Sequence, residues 1–188
     1  MEKKVIEMLI KDFEDEVFAI SVVTKPAIEE NFIALSEHEV ELKTIDEDKR
    51  ILIGAVLVPD KEIPRIDKSQ NLYWIKFSAE TIKQSSELFL MRSKQNNVTL
   101  QHTEKLEDMS VVESWIVEDS KVDKSALYGL NYPKGTWVAM MKVNNDSVWQ
   151  QVKSGAIKGF SIEGKFSDNQ NLSEISVLEQ IKELLKQL

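Results

Sequence analysis

At 188 residues with no cysteine, the chain is long enough for one domain with a sizeable core, and disulfides, thiolate catalysis and thiolate metal sites are excluded. The formal net charge of −8, with no basic run, argues against a nucleic-acid partner, because phosphate recognition draws on clustered Lys and Arg. Two histidines, His38 and His102, are too few for a metal site built on several imidazoles, no apolar run approaches the ~18 residues of a membrane span, and the opening Met1–Met8 lacks the apolar core of a secretion signal.

In chain order, Lys4–Ile10 and Glu16–Val23 read as strands, the second rich in β-formers and ended by Pro26. Asn31–Ser36 is a short third strand. Glu37–Lys49 is charged and reads as a loop or an exposed extended segment. Arg50–Val58 is nearly all apolar, which predicts a central strand buried on both faces, and Gly54 within it suggests a bulge or bend. Asn71–Phe77 is the next strand. Ser78 is placed to cap a helix over 79–92 whose apolar residues include Ile82, Leu88, Phe89 and Met91.

Val98–Glu104 reads as a strand carrying His102, and Ser110–Val117 as another. Tyr132–Gly135 has turn chemistry, and Thr136–Val143 follows as a strand. Asn145–Val152 is a short helix closed by Gly155. It leads into Ala156–Phe166, a strand with Ser161 at its middle between Gly159 and Gly164. Ser161 and Glu163 share one face by period-two alternation, with Phe160 and Ile162 on the other.

The polar stretch Ser167–Gln170 reads as a linker. Beyond it Leu172, Ile175, Leu178, Ile181, Leu185 and Leu188 form one apolar stripe at spacings of three and four. That stripe reads either as a helix packed on the domain or as one that pairs with a partner or a second copy. Many strands and few helices predict an α+β fold, mainly an antiparallel β-barrel with surrounding helices plus a C-terminal helix. The division expected is a barrel domain over 1–166 and a linker with an amphipathic helix over 167–188.

A serine on a strand is ordinarily a polar-face residue. It becomes a nucleophile only where a base takes its proton and donors hold the oxyanion. His38 sits in the charged run Ser36–Glu39 and reads as a surface residue. His102 is flanked by apolar residues, a setting in which a half-buried polar histidine and a catalytic base are both open readings. Glu113, among Val111, Trp115 and Val117, is the first candidate for the acid that would orient the imidazole. Glu104, Glu163 and Asp119 are weaker candidates, and no carboxylate pair or phosphate-binding glycine loop stands out.

The run Val98–His102, then Val111–Val117, Gly129–Leu130, Trp137–Met140 and Val152–Ile162, resembles the prohead (capsid-maturation) serine proteases of tailed phages, nearest to the XkdF-like branch. That family is related in fold to the herpesvirus assemblin proteases. The resemblance implies Ser161 as nucleophile and His102 as base, with no cofactor. Ala19–Ala27 resembles a motif that many such proteases carry after their serine, so its position before His102 implies a circular permutation. In many relatives a Glu opens that motif, and here the position is Ala19. The acid is then absent, unnecessary, or moved to Glu113 or to a nearby acid such as Glu16.

The implied activity is endopeptidase cleavage of scaffold and capsid-protein segments in an assembling prohead within the host cytoplasm. The implied partners are phage scaffold and major capsid proteins, with the portal and self-association through the C-terminal helix as further candidates. Neither nucleic acid nor membrane is expected. The alternatives are a protease-fold assembly protein with little or no activity and an unrelated peptide-binding barrel.

Overall fold

A computed structural model describes residues 4–25, 33–35, 49–67 and 69–168. His38 and the expected C-terminal helix lie outside these residues. The first sheet is ordered β12 (Ser167–Asp168), β1 (Val5–Leu9), β6 (Leu72–Phe77), β5 (Ile63–Ile66). A second runs β3 (Ile33–Leu35), β4 (Ile51–Leu57), β10 (Trp137–Val143), β9 (Met109–Ile116). The third runs β11 (Gly159–Lys165), β2 (Glu16–Val23), β7 (Val98–Leu100), β8 (Glu104–Leu106). The β1–β6 and β2–β7 pairs are parallel and the other ladders antiparallel. The fold is thus α+β and mostly strand.

The expected closed barrel does not form among the described residues. The strands group into three separate four-stranded sheets. β11 comes against β4, yet no ladder joins them, and β3 holds the β4 edge at Ile51–Ile53. Pairing also takes in Ser167 and Asp168, expected to be linker, because they ladder with Leu9 and Met8. The segment around Pro64 is the edge strand β5, a place in a sheet where a missing N–H is tolerated.

The core forms where the sequence is most apolar. β4 and β10 are buried along nearly their whole length, consistent with a central strand at Arg50–Val58. Helix α1 (Ala79–Met91) starts where Ser78 accepts the Thr81 N–H, and it buries Ile82 and Phe89. Phe89 meets the fully buried Trp137 edge to face at 5.5 Å. The register of β10 on β4 shifts between Trp137 and Val138, opposite Ala55, and the Ala55 N–H donates to the Tyr132 hydroxyl (3.2 Å). Helix α2 (Asp146–Lys153) is capped by Asn145. Gly155, at φ +71°, closes it as expected and delivers the chain to β11.

The turn between β1 and β2 is organised by Asp15, 1% exposed. Burial pushes its carboxyl up, but the amides of Asp12 and Lys11 and the Ser167 hydroxyl outweigh that and hold it below its ordinary value. Gly164 marks a register shift in the β11–β2 ladder, just past Glu163. A Cβ at this position would stand 2.6 Å from the Glu16 carbonyl oxygen and 2.7 Å from the Phe166 ring. Only glycine lets the two backbones approach this closely. Gly164→Ala is therefore expected to destabilise the fold by about 1–3 kcal/mol, read as a lower midpoint in urea unfolding followed by tryptophan fluorescence.

Candidate active site

β11 is the outermost strand of its sheet, and its register on β2 and β7 sets the site. Ser161 stands opposite Ser21, and Ser21 opposite Thr99. Residues opposed across a ladder share a face, so three hydroxyl side chains lie abreast on three strands. Ser161 is 7% exposed and Ser21 is fully buried. Among the described residues the Ser161 hydroxyl takes no hydrogen bond, whereas the Ser21 Oγ donates to the Thr99 carbonyl (3.3 Å).

The peptide groups of this row follow from the ladder. Ile20 N–H donates to Asn97 O and Val22 O accepts from Gln101 N–H, both at 3.1 Å. Ile20 and Val22 therefore turn their peptide groups toward β7, and Ser21 between them turns toward Ser161. An opposed antiparallel pair of that kind exchanges both backbone bonds. The Ser161 amide is committed to β2, and the Ile162 amide points away from it.

His102 is not on a continuous strand, as its apolar flanks suggested. It sits in the three-residue turn Gln101–Thr103 between β7 and β8. Gln101 (φ +51°) and His102 (φ +61°) both lie in the left-handed region, at a cost of about 1 kcal/mol or more per non-glycine residue. The turn is held by the bonds from Gln101 N–H to Val22 O, from Thr103 N–H to Leu100 O (3.0 Å) and from His102 N–H to Ser21 Oγ (3.0 Å). The left-handed turn leaves the ring 42% exposed.

Glu163, two residues beyond Ser161 on the same face, meets the histidine. Its Oε1 lies 3.3 Å from His102 Nδ1 and also accepts the Thr99 hydroxyl. The Glu163 side chain is 21% exposed. An ionised carboxylate only accepts hydrogen bonds, so this contact puts the proton on Nδ1 and leaves Nε2 with a free lone pair. One face of one sheet thus gathers a hydroxyl, an imidazole and a carboxylate against that imidazole. No direct bond joins Ser161 and His102 among the described residues.

The structure places Glu113 elsewhere. It lies on β9, opposite Met140 in the second sheet, and pairs with Lys124 at the surface. Lys124 in turn lies over the Trp115 ring. Among the other acids considered, Glu104 is exposed on β8 opposite Leu100. Asp119 accepts the Lys121 N–H in its own turn. Glu16 pairs with Arg92 (2.8 Å) and Lys94 (3.4 Å), and the Arg92 hydrogen bond holds its carboxyl below the ordinary value against the pull of burial. Glu163 is the carboxylate that reaches His102 among the described residues. It stands directly opposite Ala19.

The profile of the family described as "Putative phage serine protease XkdF" matches residues 38–169, well over half of the chain. The chain belongs to that family. The matched span of the XkdF family holds Thr99, His102, Ser161 and Glu163 and stops short of Ser21. No curated protein and no solved structure matches the chain.

Sequence reasoning did not single out Ser21 or Thr99. Ser21 carried a signal, as a lone polar side chain among Ala19, Ile20, Val22 and Val23 in a strand rich in β-formers. Thr99 carried none, because β-branched Thr is ordinary in a strand. The His102–Glu163 contact has a direct test in ¹⁵N NMR of histidine-labelled protein, with His38→Ala for assignment. His102 is expected in the Nδ1–H tautomer in the native chain and to shift toward Nε2–H in Glu163→Ala.

Proposed function

We propose that the chain is a serine endopeptidase in which Ser161 attacks the scissile carbonyl, His102 takes and returns the proton, and Glu163 orients the imidazole. The observation that carries this reading is the His102 Nδ1–Glu163 Oε1 contact at 3.3 Å, on the face that also presents Ser161. The acid role goes to Glu163 rather than Glu113, because Glu113 is engaged with Lys124 in another sheet. The position at which relatives are expected to carry a Glu is Ala19, and Glu163 enters from the neighbouring strand at the same level of the sheet.

Proton flow follows from the tautomer. Nε2 accepts the Ser161 proton as the oxygen attacks, and the imidazolium that forms is stabilised by Glu163. The same proton then passes to the leaving amine, and a water repeats the sequence on the acyl-enzyme. The Ser161 amide is committed to the β2 ladder, so oxyanion donors come from the Ile162 amide turned away from β2 or from a neighbouring strand. β11 ends its sheet, and an extended peptide laid against that edge would bring a carbonyl to Ser161.

The substrates in this reading are scaffold and major capsid-protein segments in an assembling prohead inside the host cell, with the portal as a further partner. A second reading, an assembly protein of protease fold with little activity, draws on the missing direct Ser161–His102 bond. Co-expression with the neighbouring capsid and scaffold genes separates them. Ser161→Ala and His102→Ala are each expected to cut processing by about 10³-fold or more, seen as uncleaved precursors on a gel. Processing that continues in both variants contradicts the serine mechanism. Unprocessed precursors that still assemble with the native chain favour the assembly reading.

A further inference from the structure

The structure assigns Ser21 as the positioning residue of His102, an inference that rests on the serine-protease reading above. The histidine is mounted on a backbone that does not favour its own shape, since Gln101 and His102 are consecutive left-handed residues at φ +51° and +61°. Such a conformation persists only where its surroundings hold it. The one hydrogen bond that the His102 peptide N–H makes among the described residues is donated to Ser21 Oγ, at 3.0 Å.

The Ser21 hydroxyl is itself oriented. Its proton goes to the Thr99 carbonyl (3.3 Å), so a lone pair is left for His102 N–H. Ser21 is fully buried between Ile20 and Val22, which are fully buried too. A hydroxyl with no exposure and a committed proton is no second nucleophile. It fixes where the turn, and therefore the imidazole, stands relative to Ser161 on the next strand. The Thr99 that receives the Ser21 proton through its carbonyl also holds Glu163 through its side chain. Ser21 and Thr99 together set the base and the acid against the nucleophile without touching substrate.

The test uses the full chain as Ser21→Ala, Ser21→Thr and Ser21→Cys. The rate of Ser161 modification by an alkyl fluorophosphonate is resolved into its binding and inactivation constants, and hydrogen exchange is measured at the His102 amide. Ser21→Ala is expected to lower the inactivation rate constant roughly tenfold, the scale of one buried hydrogen bond, with the binding constant unchanged. The His102 amide is expected to exchange faster by a similar factor, and Ser21→Thr to recover both. If Ser21→Ala does not fold, Ser21→Cys, which keeps the shape of the side chain and leaves no cavity but weakens the acceptor, gives the same two readouts. Native labelling rates in Ser21→Ala or Ser21→Cys, or an unchanged His102 amide, overturn the assignment. A native chain that does not label at Ser161 while the His102 amide still responds to Ser21→Ala refutes the protease reading and leaves the clamp standing.

Discussion

The site depends on register. β11 is paired to β2 so that Ser161 meets Ser21, and β2 to β7 so that Ser21 meets Thr99. A slip of one residue would turn Ser161 and Glu163 to the opposite face and separate them from His102. Register is held on one side by the buried apolar residues Ile20, Val22 and Phe160 and on the other by the close approach at Gly164. The Glu16 carbonyl that crowds Gly164 belongs to a residue anchored by Arg92, just beyond α1. Packing of ordinary core residues thus fixes the position of the polar ones.

The polar cluster is built from interactions that are weak singly and mutually oriented. Ser21 points its proton at one carbonyl and so offers its lone pair to one amide. Thr99 uses its carbonyl for Ser21 and its hydroxyl for Glu163. Glu163 accepts from both Thr99 and the imidazole. Each group in such a network fixes the donor or acceptor role of the next, and the last of them, Glu163, offers Nδ1 of His102 an acceptor.

Much of this was legible from the residues. The alternation in Ala156–Phe166 put Ser161 and Glu163 on one face, and the apolar run at Arg50–Val58 gave the central strand β4. Helix α1 was legible from its cap, Ser78, and α2 from the Gly155 that closes it. Glu113 looked special because a carboxylate stood among apolar residues, but Lys124, eleven residues on, folds back to pair with it, and contacts of that kind leave no periodic trace. His102 was read on a strand because its flanks are strand-like. The three-residue turn has no glycine to announce it, and its left-handed backbone depends on Ser21, which is distant in sequence. A single barrel was expected and three separate sheets are found among the described residues, because alternation specifies which face of a strand is buried and not which edges meet.

The most direct measurement is reaction of the native chain with a fluorophosphonate, followed by mass spectrometry of the peptides. The account predicts one adduct, on Ser161, lost in His102→Ala and strongly reduced in Glu163→Ala. An adduct on another serine, or equal labelling of Ser161 in His102→Ala, would contradict it.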